Sequence, residues 1–214
     1  MPSCCSASYE RVFDAREAQK AARRYRTKGL DDTALRIVRF LVDRGVADVT
    51  VLEIGGGIGA IQLELLQAGA ATATNVELSP CYEVEAKDLL ERAGLHDRVE
   101  RVVLDFAKAP DAIAAADLVI MHRVVCCYPD VELLVAAAAQ RARRYMAMSF
   151  PTDHLWVRLA VAIENLFHQI TRTDFRAYFH PPPAIVGVAR AYGLDPILEH
   201  RGWMWTMTLL ERAE

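Results

Sequence analysis

The nine residues Val51-Leu52-Glu53-Ile54-Gly55-Gly56-Gly57-Ile58-Gly59 constrain this chain more than any other stretch. Val49 to Ile54 is apolar and β-branched, the pattern of a parallel strand buried on both faces. Four glycines follow within five positions. Glycine accepts positive φ, and without a Cβ it lets backbone approach a neighbour closely. Ala60 to Leu66 then opens a helix, whose N-terminus carries unsatisfied N–H groups. A strand, a glycine turn and a helix in that order make the first unit of an open α/β sheet.

The loop is built to face a ligand, and its acidic neighbours narrow the ligand class. Gly55, Gly57 and Gly59 follow a G-x-G-x-G spacing, and Ala60 falls where a dinucleotide fingerprint has its third glycine, an allowed replacement. A nicotinamide dinucleotide is therefore one reading. Glu53, two positions before the first glycine, argues against it. A carboxylate there repels a pyrophosphate but accepts hydrogen bonds from the ammonium of an amino-acid cofactor. S-adenosylmethionine (SAM) carries an ammonium, a sulfonium and no phosphate. Glu77, followed by Leu78, closes the second strand, where a carboxylate can take both ribose hydroxyls. Asp105 closes the third and can meet an adenine amino group, with Phe106 against the ring. Each acid alone reads as a solvated strand end. Three at successive strand ends beside a glycine loop read as a cofactor site.

With these residues in place, the chain resembles the class I SAM-dependent methyltransferases over positions 45 to 150. Glu53-x-Gly55-x-Gly57-x-Gly59 is similar to their first motif, Glu77 to their ribose acid, Asp105-Phe106 to their adenine site, and Asp117 to His122 to their fourth strand. The resemblance implies a Rossmann-like doubly wound α/β fold. Its mostly parallel seven-stranded sheet would end in an antiparallel C-terminal hairpin, with an N-terminal helical lid. It also implies SAM as cofactor and methyl transfer as activity. Tyr25 is a further candidate for lining the cofactor site.

The order of elements agrees. Strands are expected near 49–54, 72–77, 99–104, 117–121 and 144–149, and helices near 58–68, 81–93, 110–115 and 131–143. Before them, Ser8 to Arg26 reads as a helix stopped by Gly29. Asp31-Asp32-Thr33 caps a second, Ala34 to Arg44, with Leu35, Val38, Leu41 and Val42 on one face. After Pro151 comes an apolar helix from Asp153 to Ile170, then an aromatic stretch from Phe175 to His180. Three prolines and a helix from Ala184 to Tyr192 follow. Strands at Ile197–His200 and Trp203–Leu210 turn around Gly202. We expect a single domain over 1–214. Residues 1–44 form a helical cap, 45–150 the cofactor-binding core, 151–183 an acceptor lid and 184–214 the closing helix and strands. The 151–183 segment is longer than a connection requires. A core or dimer-interface helix is its other reading.

Composition excludes some functions. The formal net charge of −3 offers no general nucleic-acid-binding face. Arg23, Arg24, Arg26 and Lys28 read as a solvated helix face or as an anion-binding lid. No run reaches the length of a membrane span, and no signal peptide is visible, so a cytoplasmic location is expected. Five cysteines, an odd number with two adjacent pairs, do not make a secreted disulfide framework. The expected partner is a small-molecule acceptor, with a homodimer as an option, and without nucleic acid or stable membrane insertion.

The chemistry of the acceptor side rests on the segment after the fourth strand, Met121 to Asp130. His122 reads as a general base or as a structural histidine. Cys126, Cys127 and Tyr128 follow, and they border the methyl if ligands bind beyond the strand ends. This stretch is also similar to that of porphyrin-carboxylate methyltransferases, with Cys126 where their histidine stands. Three functional readings follow. The first is methylation of oxygen on an aromatic or hydrophobic small molecule. The second is methylation of a thiol, arsenite or another soft centre at Cys126 and Cys127, with Cys4 and Cys5 folded over them. The third is SAM binding without turnover. Asp153, His154 and His180 lie in the lid segment and can meet a polar acceptor.

Overall fold

The structure, a computed structural model, describes residues 9–171, 173 and 175–213. The chain forms two compact units that divide between Asp105 and Phe106. Its seven strands are ordered β3-β2-β1-β4-β5-β7-β6, the mostly parallel, doubly wound sheet expected from the alternation of strand and helix.

The first unit opens with helix α1, Ala15–Lys28, which starts where Asp14 accepts hydrogen bonds from the amides of Arg16 and Glu17. That cap splits the single long helix expected from Ser8 to Arg26. A left-handed Gly29 ends α1. Arg26 reaches Glu85 at 3.6 Å and Asp88 at 3.4 Å, so this member of the basic run is held in ion pairs. Helix α2, Asp32–Asp43, begins at the expected cap, with Asp31 accepting from Thr33 and Ala34. Its inner face is turned from the one expected. Ala34, Ile37, Val38 and Leu41 are buried, while Val42 lies on the exposed side. The buried set keeps the i, i+3, i+4, i+7 spacing that starts at Ala34.

Strand β1, Thr50–Ile54, pairs in parallel with β2, Thr72–Glu77, and β2 pairs in parallel with β3, Val99–Val103. Helix α3, Ala60–Gln67, follows β1, and helix α4, Glu83–Ala93, follows β2. The register sets Glu53 beside Asn75 and Asn75 beside Arg101. Directly paired residues of a parallel sheet share a face, so three polar side chains form a row across otherwise apolar strands.

In the second unit, β4, Ala116–His122, pairs in parallel with β5, Ala142–Pro151. Helix α5, Val131–Arg141, is capped by Asp130, which accepts from the Leu133 amide. The helix expected over 110–115 is a single 3₁₀ turn, Pro110–Ala112, because Ile113 is already extended and β4 starts three residues later. Helices α6, Leu155–Ile170, and α7, Pro182–Ala191, precede the antiparallel strands β6, Leu194–Arg201, and β7, Trp205–Arg212. The closing hairpin is as expected, with β6 running beyond both of its expected bounds and β7 starting and ending two residues later than expected. Gly202 is needed at its turn, since a Cβ there would lie 2.8 Å from the Trp205 carbonyl oxygen.

Helix α6 is not a core element. Val157 is its one buried residue. Leu155, Leu159, Ile163, Leu166, Phe167 and Ile170 are all more than half exposed. Among the described residues no helix is long and apolar enough to cross a membrane.

Removing the Asp31 cap tests this local reading. Asp31→Ala should cost about 1 kcal/mol. For a chain of this size that is roughly 2–4 °C in Tm, measured by thermal unfolding against wild type.

Candidate active site

The first unit holds the glycine loop in a frame of buried polar groups. Gly55, Gly57 and Gly59 have φ of 63°, 54° and 76°, the left-handed region where a side chain is strained. Gly56 is required for a different reason. A Cβ on it would lie 2.2 Å from Asn75 Nδ2 and 2.9 Å from the Glu53 side chain. A Cβ on Gly59 would lie 2.4 Å from Gln62 Nε2. The loop is therefore pressed onto Glu53, Asn75 and Gln62.

Gly57 is held from both sides of its peptide. Its N–H donates to Glu77 Oε2 at 2.9 Å, and its carbonyl accepts from Arg101 Nη2 at 2.9 Å. Arg101 is fixed in turn by Glu83, with Nε and Nη2 donating to the carboxylate at 2.8 to 3.1 Å. The Tyr82 ring lies against the loop, 3.3 Å from where a Gly57 Cβ would stand. Glu77 Oε1 accepts from the amides of Leu78 and Ser79 at 2.8 and 3.0 Å. A carboxylate has about four acceptor positions. Three are taken, and one remains, on Oε2. The two-hydroxyl pairing expected of Glu77 thus requires a loop amide to give way.

Glu53 is 3% exposed and accepts from the Gln62 amide at 3.1 Å. Burial pushes its carboxyl up to about 8, against the pull of that amide and of Arg101. The carboxyl is therefore largely protonated at neutral pH, ready to ionise when a cation approaches. Beside it, both polar atoms of the Gln62 side chain and both of Asn75 are buried with no hydrogen-bond partner. Buried amides left unsatisfied are costly. Such a set of donors and acceptors, next to a loop with four glycines, fits a polar, cationic cofactor head group.

Tyr25 is turned to a structural contact. Its hydroxyl donates to Glu64 on α3 at 2.8 Å, and burial followed by that bond raises the phenol well above its usual range. Asp105 is half-buried at the end of this unit.

The second unit carries Phe106, His122, Cys126, Cys127 and Tyr128. Phe106 is buried. His122 ends β4 opposite Ser149 on β5, and His122 Nδ1 lies 2.9 Å from Ser149 Oγ. Ser149 is fully buried and also accepts from the Arg123 amide at 3.0 Å. Arg123 then takes φ of 61°, an uncommon turn for a non-glycine residue. This turn throws the chain into the 3₁₀ helix Val125–Cys127. Cys126 is buried and Cys127 half-buried, with their sulfurs 3.8 Å apart. The Cys127 hydrogen bond holds the Cys126 thiol below its usual range, against burial.

A strap from 175 to 180 lies on this turn. The Tyr178 amide donates to the Cys126 carbonyl at 2.7 Å, and His180 Nε2 donates to the Tyr128 carbonyl at 3.0 Å. Asn165 on α6 holds the strap's other end through both the N–H and the carbonyl of Ala177, each at 2.8 Å. Asp153 is paired with Arg158 at 2.7 Å. Cys4 and Cys5 lie outside the described residues, so the four-sulfur arrangement has no structural account here.

Sequence reasoning passed over Gly56, Gln62, Asn75, Tyr82, Arg101 and Ser149. The available signal was a polar residue within a buried stretch of strand at Asn75 and Ser149, which is costly without a partner to serve. Arg101 gave no such signal, since it follows Glu100 on a strand that is only partly buried.

Residues 51–147 match the Methyltransferase domain family. No curated protein matches the chain in sequence. Solved structures match over nearly all of it. The magnesium protoporphyrin IX methyltransferase of Synechocystis PCC 6803, with bound S-adenosylhomocysteine (SAH), is 19% identical with a TM-score of 0.69, covering 99% of this chain and 95% of its own. An O-methyltransferase family protein from Burkholderia thailandensis is 21% identical with a TM-score of 0.72, covering 96% and 63%. An O-methyltransferase family 2 protein from Planctomyces limnophilus, in complex with apigenin, is 16% identical with a TM-score of 0.61, covering 87% and 63%. At these identities the likeness establishes the fold. The family match identifies a methyltransferase domain over residues 51–147, and the fold agrees with it. S-adenosylmethionine is its cofactor, and its activity is methyl transfer.

Two outcomes test the loop's frame. Gly56→Ala should weaken SAM binding at least tenfold, read by titration calorimetry, because the new Cβ meets Asn75 and Glu53 within 3 Å. The second concerns pH. Folded Glu53 holds its proton up to about pH 8, whereas the unfolded carboxyl releases it near 4.5. The folded state thus binds the extra proton between those values, and stability falls as pH rises through that window. Glu53→Gln should remove this slope, so that Tm of the cofactor-free variant varies less from pH 5 to 8 than that of wild type.

Proposed function

We propose that the chain methylates oxygen on a flat aromatic or hydrophobic small molecule. The observation that carries this reading is the lid segment. Helix α6 keeps six large apolar side chains out of the core, and Asn165 ties the aromatic strap 175–180 to it. The strap in turn is bonded to the Cys126 and Tyr128 carbonyls. An apolar wall held on the turn that follows β4 suits a planar, weakly polar acceptor. The fold likeness to the porphyrin and apigenin-bound proteins agrees with that acceptor class.

In this reading Glu53, Gly55, Gly57 and Gly59 receive the cofactor's amino-acid end, with Gln62 and Asn75 supplying buried polar partners. Glu77 Oε2 takes a ribose hydroxyl beside the Leu78 backbone. Asp105 and Phe106 take the adenine. Tyr25 acts through Glu64, holding α3 behind the loop. The cofactor supplies a methyl already activated on a sulfonium, so the protein's task is to orient the acceptor and exclude water.

His122, Cys126, Cys127 and Tyr128 border the methyl. His122 is the base that takes the acceptor's proton if the acceptor reaches the site protonated. Its bond to Ser149 orients the ring: with the serine hydroxyl donating to Nδ1, Nε2 carries the hydrogen, and with Nδ1–H donating to Ser149, Nε2 is the acceptor. The second tautomer is the one able to accept a proton. A small-molecule acceptor and no nucleic acid are the partners we propose, with a cytoplasmic setting. A homodimer interface is the alternative use of the same exposed α6 face.

The soft-acceptor reading has one observation in its favour, the 3.8 Å approach of the two sulfurs. A single experiment separates it from the first. SAH formation should be followed on a panel of planar phenols and aromatic carboxylic acids, and on arsenite and a thiol under full reduction. We expect turnover on a phenol or acid, with less than tenfold loss in the Cys126→Ser/Cys127→Ser double variant. Turnover confined to arsenite or the thiol, abolished in that variant, would replace the oxygen acceptor. SAM binding without SAH on any acceptor would make the chain a binding protein.

A further inference from the structure

The adjacent thiols Cys126 and Cys127 are held close together on one turn. Their sulfurs stand 3.8 Å apart, and each lies 3.7 Å from the Arg123 carbonyl oxygen. The single 3₁₀ turn Val125–Cys127 sets this geometry, with the Cys127 amide donating to the Val124 carbonyl at 2.8 Å. The turn is secured at both ends, by Arg123 on Ser149 and by the strap on the Cys126 and Tyr128 carbonyls. Cys126 is buried and Cys127 half-buried.

The separation selects among things that two thiols can do. A disulfide needs its sulfurs about 2.0 Å apart, which this turn does not provide. A soft centre bonded to both sulfurs at about 2.3 Å, the length of a zinc–thiolate bond, would subtend an angle of about 110° across the 3.8 Å gap. A linear two-coordinate ion would need about 4.6 Å at the same bond length. The pair is thus shaped for a pyramidal or tetrahedral centre. Zinc in a structural site wants four protein ligands, and among the described residues no group of three or more His, Cys, Asp or Glu side chains is placed to hold a metal. What remains is a centre satisfied by two protein sulfurs and a substituent of its own.

We propose that Cys126 and Cys127 form a bidentate dithiol site for a monosubstituted trivalent arsenical, or a soft centre of the same valence and shape. The reaction is a condensation without redox change: R–As(OH)₂ and two thiols give R–As(S–Cys)₂ and two waters, both S–H protons leaving in the water. Arsenic stays trivalent throughout. The site is independent of the methyl-transfer reading, since the adduct forms whether or not any acceptor is methylated. The ring it closes would stiffen the turn that carries the strap.

The test uses the full chain, reduced, with phenylarsine oxide as probe. In a Cys4→Ser/Cys5→Ser/Cys81→Ser background, one phenylarsenic adduct per chain should form at micromolar probe, by native mass spectrometry. It should consume two titratable thiols and be reversed by 2,3-dimercaptopropanol but not by a monothiol. Adding Cys126→Ser or Cys127→Ser should weaken binding at least a hundredfold. If the background variant fails to fold, trypsin mapping of the wild-type adduct decides instead. The arsenical should sit on the peptide 124–141, which contains both cysteines, and not only on the N-terminal peptide. An absent adduct, equal binding by the single-serine variants, or a label confined to Cys4 and Cys5 would overturn the site. SAH assays run separately keep its failure distinct from failure of the methyl-transfer reading.

Discussion

The first unit depends on one arrangement, the row of Glu53, Asn75 and Arg101 laid side by side across β1, β2 and β3. Polar groups in the middle of buried strands are costly unless something is gained from them. Here the gain is the shape of the glycine loop. Arg101 grips the Gly57 carbonyl, Glu53 takes the Gln62 amide in the first turn of α3, and Asn75 leaves no room for a Cβ on Gly56. The four glycines have no side chains with which to hold the loop. Its conformation is set from below, by Glu53 just before it in sequence and by Asn75 and Arg101, 19 and 44 positions beyond the glycines they touch.

The same arrangement explains why the site carries unsatisfied polar atoms. The side-chain amides of Gln62 and Asn75 are buried without partners, next to the buried carboxyl of Glu53. That cost is tolerable where a cofactor completes the set, because binding energy then offsets it. Glu77 follows the opposite rule. Three backbone amides already occupy its carboxylate, so it serves the loop's shape as much as any ligand. One acid is held neutral by burial, and the other is held in place by hydrogen bonds.

The second unit builds its surface on a turn rather than a loop. Ser149 links His122 and the Arg123 amide, Arg123 adopts a left-handed conformation, and the two cysteines follow in a single 3₁₀ turn. The strap from α6 then settles on the turn's carbonyls. Every one of these bonds uses backbone on at least one side or a buried serine. The turn is therefore specified mainly by where the chain runs, and its side chains are not what holds it in place.

Much of the fold was legible in the sequence. The strand–glycine–helix unit, the alternation of elements and the C-terminal hairpin all follow from local rules: β-branched runs, glycine at positive φ, aspartate at helix caps. The acids at the three strand ends were legible for the same reason, since a strand end is a local feature. The misses have equally physical causes. The helix expected at 110–115 gave way to an early strand, and the inner face of α2 was turned because burial follows the packing partner and not hydropathy alone. Helix α6 reads from its sequence as a lid, a core helix or a dimer-interface helix, because periodicity is the same in all three. Its surroundings remove the core reading, since they leave its apolar face exposed. What the sequence determined by itself was the cofactor loop and the order of elements, since both are written in residues adjacent along the chain. What tertiary structure alone decided was which distant polar residues brace that loop, and that two neighbouring thiols stand 3.8 Å apart on a clamped turn. Those are distances between side chains, set by strand register and by hydrogen bonds from segments far along the chain.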